Sequence, residues 1–170
     1  LIADAEFYYW IKEHYASISK KDYTALKYMV YKCCGIKGHV VEIDPKENGI
    51  RAYLNFGHTL GHAIEKLSDF KLGHGQCVSL GMVCALYLSQ KLGNITEEIK
   101  DDVLDVLSTF NLPISVDGLN PIEILEASKS DKKMKGSKIK FIILKALGKA
   151  DSYMEFSDDD LLWAIVKVLE

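Results

Sequence analysis

The sequence predicts a mainly helical domain with one small β-hairpin near residues 138–156. The segment Gln76–Lys91 is apolar on nearly every side, which is typical of a buried central helix. Amphipathic segments precede and follow it along the chain, and several begin with the polar residue types that cap helices. The run 139–144 is rich in β-branched and aromatic residues and is soon followed by a glycine, so it predicts the hairpin.

Three helices are expected before the central one. Residues 2–18 carry an apolar pattern with helical spacing, and Asp22 is placed to cap a second helix whose apolar pattern ends at Lys37. The run 44–49 has turn chemistry because it contains a proline and a glycine. It should lead into a helix over residues 51–65.

The rest of the chain has its own start and stop signals. Gly93 is placed to end the central helix, and Thr96 and Asn120 are placed to begin the next two. Gly148 is expected to turn the strand run back on itself. Ser157 precedes three aspartates, which predicts the start of a last amphipathic helix.

The composition fits one globular domain spanning residues 1–170. Hydrophobic residues make up 48% and charged residues 26%, and a net charge of -3 gives no reason to expect nucleic acid. The four cysteines lack CxxC spacing and are interpreted as buried free thiols in a reducing cytoplasm. No signal peptide is evident and the apolar runs are too short for a bilayer, so a cytoplasmic location without a membrane partner is expected.

One stretch carries most of the polar chemistry. Read as a helix, Arg51, Asn55, His58, His62 and Glu65 share one face, because they lie at offsets of 0, 4, 7, 11 and 14 residues. Apolar residues occupy the opposite face. An arginine, an amide, two imidazoles and a carboxylate in one stripe are suited to a polar cleft and poorly suited to a core.

The histidines in this stretch point to a metal site. His58 and His62 are four residues apart, a spacing that lets two imidazoles reach one ion. His74 has glycine on both sides, and glycine permits the tight turn that would bring it back towards them. A single surface histidine is more often incidental, but three of the five histidines fall between residues 58 and 74, so we predict a functional site here.

Several motifs resemble the C-terminal half of 3-dehydroquinate synthases in order and spacing. The most specific is the block Leu54-Asn-Phe-Gly-His-Thr-Leu-Gly-His-Ala-Ile-Glu65. The resemblance covers nearly the whole chain, and the other matching segments are Lys37, Asp44–Arg51, His74-Gly75 and Asp131-Lys132-Lys133.

The resemblance implies a helical metal- and substrate-binding domain that is joined, in the whole enzyme, to an N-terminal NAD-binding domain. Such enzymes convert the sugar phosphate 3-deoxy-D-arabino-heptulosonate 7-phosphate to 3-dehydroquinate and phosphate, in the shikimate pathway to the aromatic amino acids. NAD is oxidant and then reductant in one cycle, and a divalent metal, Zn or Co, holds substrate hydroxyls. The whole enzymes are commonly homodimers.

The resemblance also implies roles for individual residues. His58 and His74 match the two histidine ligands of the metal, and His62 matches a catalytic histidine near the phosphate that is not a ligand. Glu47 matches an active-site carboxylate. Substrate contacts are implied for His62 and for Lys37, Arg51, Asn55 and one of Lys132 and Lys133. On its own, the lysine-rich stretch 129–140 would predict only a solvated loop.

Two parts of the resembling enzymes have no counterpart in this sequence. It contains no glycine-rich nucleotide-binding unit. The third metal ligand is a glutamate in an Ala-Glu-x-Ile-Lys motif, which is expected upstream of Leu1, and Glu6 is not assigned to it because the spacing differs. The chain is therefore expected to be a C-terminal fragment that is inactive alone.

Two alternatives remain open at the level of the sequence. One is the metal-binding domain of a related enzyme: an iron-containing alcohol dehydrogenase, a glycerol-1-phosphate dehydrogenase or a 2-deoxy-scyllo-inosose synthase. The other is an autonomous helical metal-binding module without enzymatic activity. A domain cut from a larger enzyme should expose an apolar face, whereas an autonomous module should not.

Overall fold

A computed structural model describes residues 1–133 and 140–169 of the protein, with side chains described outside residues 130–133. It confirms a mainly helical fold with one antiparallel hairpin. The described elements are α1 (Ala5–Glu13), α2 (Tyr15–Ser19), α3 (Tyr23–Ile43), a 3₁₀ segment (Ile50–Asn55), α4 (His58–Leu67), α5 (His74–Lys91), α6 (Glu97–Thr109), α7 (Pro121–Lys133), β1 (Phe141–Ala146), β2 (Lys149–Tyr153) and α8 (Asp158–Leu169).

The central helix is α5, as its uniform apolar character predicts. It packs against α4, α6, α8 and β1, and its fully buried side chains include Leu80, Leu86 and Leu88. A buried serine joins this helix to the hairpin: Ser89 Oγ donates to the carbonyl of Ala85 (2.6 Å) and accepts from the backbone N–H of Leu144 (2.9 Å). The hairpin is thereby held against the core without an unpaired polar group at Ser89.

The predicted helix starts are confirmed by their hydrogen bonds. The Asp22 carboxylate accepts from a backbone N–H at the start of α3 (2.9 Å), and the Thr96 hydroxyl does the same for α6 (3.4 Å). At α8, Ser157 Oγ accepts from the Asp160 N–H (3.1 Å). Gly93 follows α5 with a positive φ of 72°, as expected of a residue that ends a helix.

The single helix predicted over residues 51–65 is wrong. The chain forms a 3₁₀ segment up to Asn55, turns at Phe56 and Gly57, and begins α4 at His58. Gly57 has a φ of 80°, and a Cβ atom there would lie 2.6 Å from the carbonyl oxygen of Val78 on α5. The break arises because α4 must approach the backbone of α5, a tertiary requirement that the helical spacing alone does not contain.

The helix predicted over residues 2–18 is also corrected. It begins only at Ala5, because the carbonyls of Leu1 and Ile2 accept hydrogen bonds from the hairpin, at Gly148 N (2.7 Å) and Ala150 N (3.0 Å). It is then divided at His14, where φ is -99° and ψ is 16°.

Helix α3 is longer and more exposed than the sequence predicts. It continues past Lys37 to Ile43, and only Ala25 and Val40 are buried. Cys33 and Cys34 are exposed on it, which corrects the prediction that all four thiols are buried, although all four are free. The exposed apolar side chains on this helix are Tyr23, Tyr28, Val30, Tyr31 and Ile43. None of the described helices is long and apolar enough to cross a membrane.

Candidate metal centre

Glycines let α4 lie directly on α5. A Cβ atom at Gly61 would come within 2.9 Å of the Cys77 carbonyl oxygen, and one at Gly81 would lie 1.8 Å from the Gly57 carbonyl oxygen. Such distances leave no room for any side chain larger than hydrogen. The repeated Gly-His pairs, 57–58 and 61–62, therefore place glycine against α5 and histidine beside the crossing.

A tight turn then brings the third histidine to the same place. Asp69 and Phe70 both have positive φ, 51° and 56°, and the Phe70 N–H donates to the Glu65 carbonyl (3.2 Å). These two residues reverse the chain after α4. His74 can therefore be the first residue of α5 and still face the side of α4 that carries His58 and His62.

The three histidines form one cluster, as the sequence predicts. One ring nitrogen from each of His58, His62 and His74 lies within 4.8 Å of the other two. The ring centroids are 5.4 to 5.6 Å apart. His58 is half-buried, and the other two are exposed. Three imidazoles that converge at a partly open surface suit a divalent ion such as Zn²⁺ and leave a side open to further ligands.

His58 is held in the form that binds metal. Its Nδ1 lies 3.2 Å from the carbonyl oxygen of Phe56, which can accept only from a protonated Nδ1. Burial lowers the pKa of His58, and the two neighbouring histidines lower it further against the opposing effects of the Phe56 carbonyl and Glu65. The ring is therefore neutral at pH 7, and the lone pair of its unprotonated Nε2 is available to a metal ion.

The other two histidines differ in their surroundings. His74 Nδ1 lies 3.3 Å from Oε2 of Glu65, a carboxylate whose side chain is only 20% exposed. His62 has no hydrogen-bond partner among the residues that the structure describes. Sequence reasoning placed Glu65 in the polar stripe but gave it no role, although its position three residues after His62 and seven after His58 was a usable signal.

A second group of predicted residues is organised by the turn before the 3₁₀ segment. The Asp44 carboxylate accepts from the backbone N–H groups of Asn48 (3.0 Å), Gly49 (2.7 Å) and Arg51 (3.0 Å). The bond from Asn48, followed by that from Arg51, holds the pKa of Asp44 below its usual range. Asp44 therefore fixes the path of the loop, a role that sequence reasoning did not assign.

This loop brings Glu47 and Asn55 together. Asn55 Nδ2 donates to Glu47 Oε1 (3.0 Å), and the Arg51 guanidinium donates to the carbonyl of Pro45 (2.7 Å). Glu47 adopts a positive φ of 58°, which is uncommon for a residue with a side chain. The predicted carboxylate and amide are thus in direct contact, and the arginine is anchored by one nitrogen.

Of the three predicted lysines, Lys37 is the one whose side chain the structure describes. Lys37 is exposed on α3 and lines an apolar cavity of about 390 Å³ between α1, α3 and α6, together with residues such as Phe7 and Val106. It makes no described hydrogen bond or ion pair with the histidines. Lys132 and Lys133 end α7, and their side chains lie outside the described residues.

A comparison with protein families decides the affiliation of the chain. The family model described as 3-dehydroquinate synthase C-terminal matches residues 1–134, which include the histidine cluster and the Asp44 loop. The chain belongs to the 3-dehydroquinate synthase C-terminal family. The resemblance found in the sequence motifs is thereby confirmed, as is the helical domain class.

Curated proteins named 3-dehydroquinate synthase match most of this chain. A 3-dehydroquinate synthase from Acetivibrio thermocellus is 39% identical over 170 residues, which are 99% of this chain and 47% of that protein. One from Ruminiclostridium cellulolyticum is 40% identical over 148 residues, 87% of this chain and 41% of that protein. The chain spans about half the length of the curated relatives it matches.

Solved structures agree with the 3-dehydroquinate synthase C-terminal fold. The 2-epi-5-epi-valiolone synthase ValA from Streptomyces hygroscopicus subsp. jinggangensis 5008, solved with NAD+ and Zn2+ bound, covers 99% of this chain and 47% of its own, with a TM-score of 0.86 and 22% identity. A 2-deoxy-scyllo-inosose synthase, solved with carbaglucose-6-phosphate, NAD+ and Co2+, covers 86% of this chain and 42% of its own, with a TM-score of 0.71 and 21% identity.

Proposed function

We propose that this chain is the metal- and substrate-binding half of a 3-dehydroquinate synthase, which converts 3-deoxy-D-arabino-heptulosonate 7-phosphate to 3-dehydroquinate and phosphate. The observation that carries the proposal is the convergence of His58, His62 and His74 in a chain of this family. The reaction is the one by which the shikimate pathway supplies aromatic amino acids, and we place it in the cytoplasm. The whole protein would act as a homodimer.

Within this half, His58 and His74 would hold the divalent metal, Zn or Co. Imidazole nitrogen suits both ions, and the neutral state of His58 at pH 7 favours binding. Such an ion, when bound, polarises a substrate hydroxyl or carbonyl. An upstream glutamate would complete the ligand set. ValA and the 2-deoxy-scyllo-inosose synthase, whose structures hold NAD+ with Zn2+ or Co2+, support this pairing of cofactors.

The remaining residues would bind and orient an anionic sugar. Arg51 and Lys37 supply positive charge for a phosphate or carboxylate, and one of Lys132 and Lys133 adds to it. His62 is exposed at the cluster and has both ring nitrogens free of described partners, which suits a group that contacts the leaving phosphate. The contact between Asn55 and Glu47 would keep the carboxylate directed while substrate hydroxyls bind.

The N-terminal half of the whole protein would bind NAD. The exposed apolar side chains on α3, among them Val30 and Tyr31, support a partner surface of this kind, because large exposed apolar patches on a single domain usually mark an interface. They also weigh against the alternative of an autonomous metal-binding module.

The test is an assay of the whole protein that contains this chain. Purified protein with NAD⁺ and Zn²⁺ is given heptulosonate phosphate, and phosphate release and 3-dehydroquinate are followed together. Both products should form at the same rate, and His58→Ala should reduce the rate at least about 100-fold. Glucose 6-phosphate, simple alcohols and glycerol 1-phosphate serve as rival substrates for the related enzymes. Faster turnover of any of these than of heptulosonate phosphate would reject the proposal.

A further inference from the structure

Glu65 is a partly buried carboxylate that contacts one histidine of the proposed metal site without being a ligand itself. Its Oε2 lies 3.3 Å from Nδ1 of His74, and it is not among the groups whose ligand atoms converge. We infer that Glu65 is a positioning residue: it accepts a hydrogen bond from the Nδ1–H of His74 and so directs Nε2 of that ring towards the metal. The inference rests on the proposed function insofar as His74 is a ligand.

His74 needs such a partner because little else restrains its ring. Its side chain is 55% exposed, and it has a glycine on either side in the sequence. A ring in this setting samples several rotamers and both neutral tautomers. A carboxylate at Nδ1 selects one tautomer and one orientation, and it also makes the unprotonated Nε2 a more basic metal ligand.

The backbone holds Glu65 in place for this task. Its carbonyl accepts from Ser68 Oγ (2.9 Å) and from the Phe70 N–H (3.2 Å), so the last turn of α4 and the reversal that follows it share one anchor. The side chain of Glu65 is only 20% exposed. A charge-assisted hydrogen bond at such a position is screened less than one at a fully exposed surface.

The same device recurs at His58 and is absent at His62. The Nδ1 of His58 faces the carbonyl oxygen of Phe56, whereas His62 has no described acceptor at either nitrogen. His58 and His74 therefore each have an acceptor at Nδ1, which leaves Nε2 unprotonated and free to bind a metal. They are also the two histidines for which the sequence motifs imply metal ligation. The pattern of acceptors distinguishes ligands from the third histidine without reference to any bound ion.

The experiment measures metal affinity and ring tautomer in the whole protein. Co²⁺ is titrated into metal-free wild type, Glu65→Ala, Glu65→Gln and His74→Ala, with affinity taken from competition with a chelator and from visible absorption. Glu13→Gln, at an exposed carboxylate that ends α1, is the matched control. Long-range ¹H–¹⁵N spectra of the metal-free proteins report which nitrogen of His74 carries the proton.

We expect Glu65→Ala to weaken Co²⁺ binding about 10- to 100-fold and to shift His74 away from the Nδ1–H tautomer. Glu65→Gln retains an acceptor oxygen, so its loss should be smaller, and Glu13→Gln should bind as wild type does. Equal affinity for wild type and Glu65→Ala would overturn the inference. So would a loss in Glu65→Gln as large as that in His74→Ala, because Glu65 would then be a ligand itself.

The outcome also separates this inference from the proposed function. Wild type that binds Co²⁺ and depends on Glu65, but does not turn over heptulosonate phosphate, would reject the reaction and leave the positioning role standing. Wild type that binds no Co²⁺ would overturn both. If Glu65→Ala fails to fold, the near-isosteric Glu65→Gln and the tautomer measurement still decide the matter.

Discussion

At the scale of single residues, Asp160 connects the start of α8 to the central helix. Its carboxylate accepts from the N–H (3.0 Å) and the hydroxyl (2.7 Å) of Ser157 and pairs with Lys91 on α5 (2.6 Å). The Lys91 ammonium, followed by the two bonds from Ser157, lowers the pKa of Asp160 to about 2 from an ordinary value of 3.8. The ionised form is therefore favoured in the folded protein.

This lowering predicts a pH-dependent contribution to stability. A group whose folded pKa lies below its unfolded pKa stabilises the fold above the unfolded value, and the effect is lost as the pH falls through the folded value. Asp160→Asn should lower the free energy of unfolding by about 1 kcal/mol or less at pH 7. The difference from wild type should shrink between about pH 4 and pH 2, measured by urea unfolding.

Asp159→Asn is the matched control, because Asp159 is exposed in the same helical turn. Asp159→Asn removes one negative charge, as Asp160→Asn does, but at a residue that lacks the described contacts of Asp160. A difference for Asp160→Asn that stays constant from pH 7 to pH 2.5 would contradict the assignment, as would an equal effect in both variants.

The helix caps could be predicted from the sequence, because a capping residue bonds to a backbone group only a few residues away. Asp22, Thr96 and Ser157 each satisfy a backbone group within three residues, so the sequence contains both partners. The contact between Glu65 and His74 was not predictable in the same way. Its partner His74 is nine residues away, and their contact depends on the positive φ angles at Asp69 and Phe70.

At the scale of elements, the crossing of α4 and α5 determines where the histidines lie. We predict that Gly81→Ala is strongly destabilising, because the new methyl carbon would lie 1.8 Å from a backbone oxygen, which no side-chain rotation can relieve. The free energy of unfolding should fall by at least about 3 kcal/mol, measured by urea or thermal unfolding. Any protein that still folds should bind Co²⁺ more weakly, since α4 must move away.

Gly38→Ala provides the comparison within another helix. A Cβ atom at Gly38 would meet nothing within 4 Å, so the change should stabilise α3 by about 0.5 to 1 kcal/mol. If Gly81→Ala had an effect as small as that of Gly38→Ala, α4 and α5 would be able to separate without cost, and the packing argument would be rejected.

The elements show where prediction from sequence stops. The uniform apolar character of α5 was enough to identify it as the central helix, because a helix that is apolar on every side must be buried on every side. The break at Phe56 and Gly57, inside the helix predicted over residues 51–65, could not be predicted from the sequence. It depends on the close approach of Gly57 to the Val78 carbonyl oxygen on α5. The exposure of α3 was missed for the opposite reason: its apolar residues have the spacing of a packed helix but few described neighbours.

At the scale of the whole molecule, the described part of the chain carries one histidine cluster, and the chain spans about half the length of its relatives. The convergence of the three histidines was predictable from spacing and flanking glycines. The placement of Lys37 beside an apolar cavity was not predictable, because that cavity arises from the packing of α1, α3 and α6 against one another.

We predict that this chain alone does not form 3-dehydroquinate. Incubation with heptulosonate phosphate, NAD⁺ and Zn²⁺ should give no phosphate above the background of a heat-denatured sample. The reason is that no glycine-rich nucleotide-binding motif is evident in this sequence, and that the resemblance to 3-dehydroquinate synthases implies only two of the three metal ligands within it. The whole protein, assayed beside it, is the positive control, and turnover by the isolated chain would contradict the prediction.

The backbone of Glu47 has a consequence for how this protein can change in evolution. A positive φ at a residue with a side chain costs on the order of 1 kcal/mol, and here the Asp44 hydrogen bonds hold the loop in that shape. Selection for heat resistance alone would favour glycine at this position, since glycine relieves the strain. A carboxylate retained there in heat-adapted relatives would therefore mark a trade-off in which activity has been kept at the expense of stability.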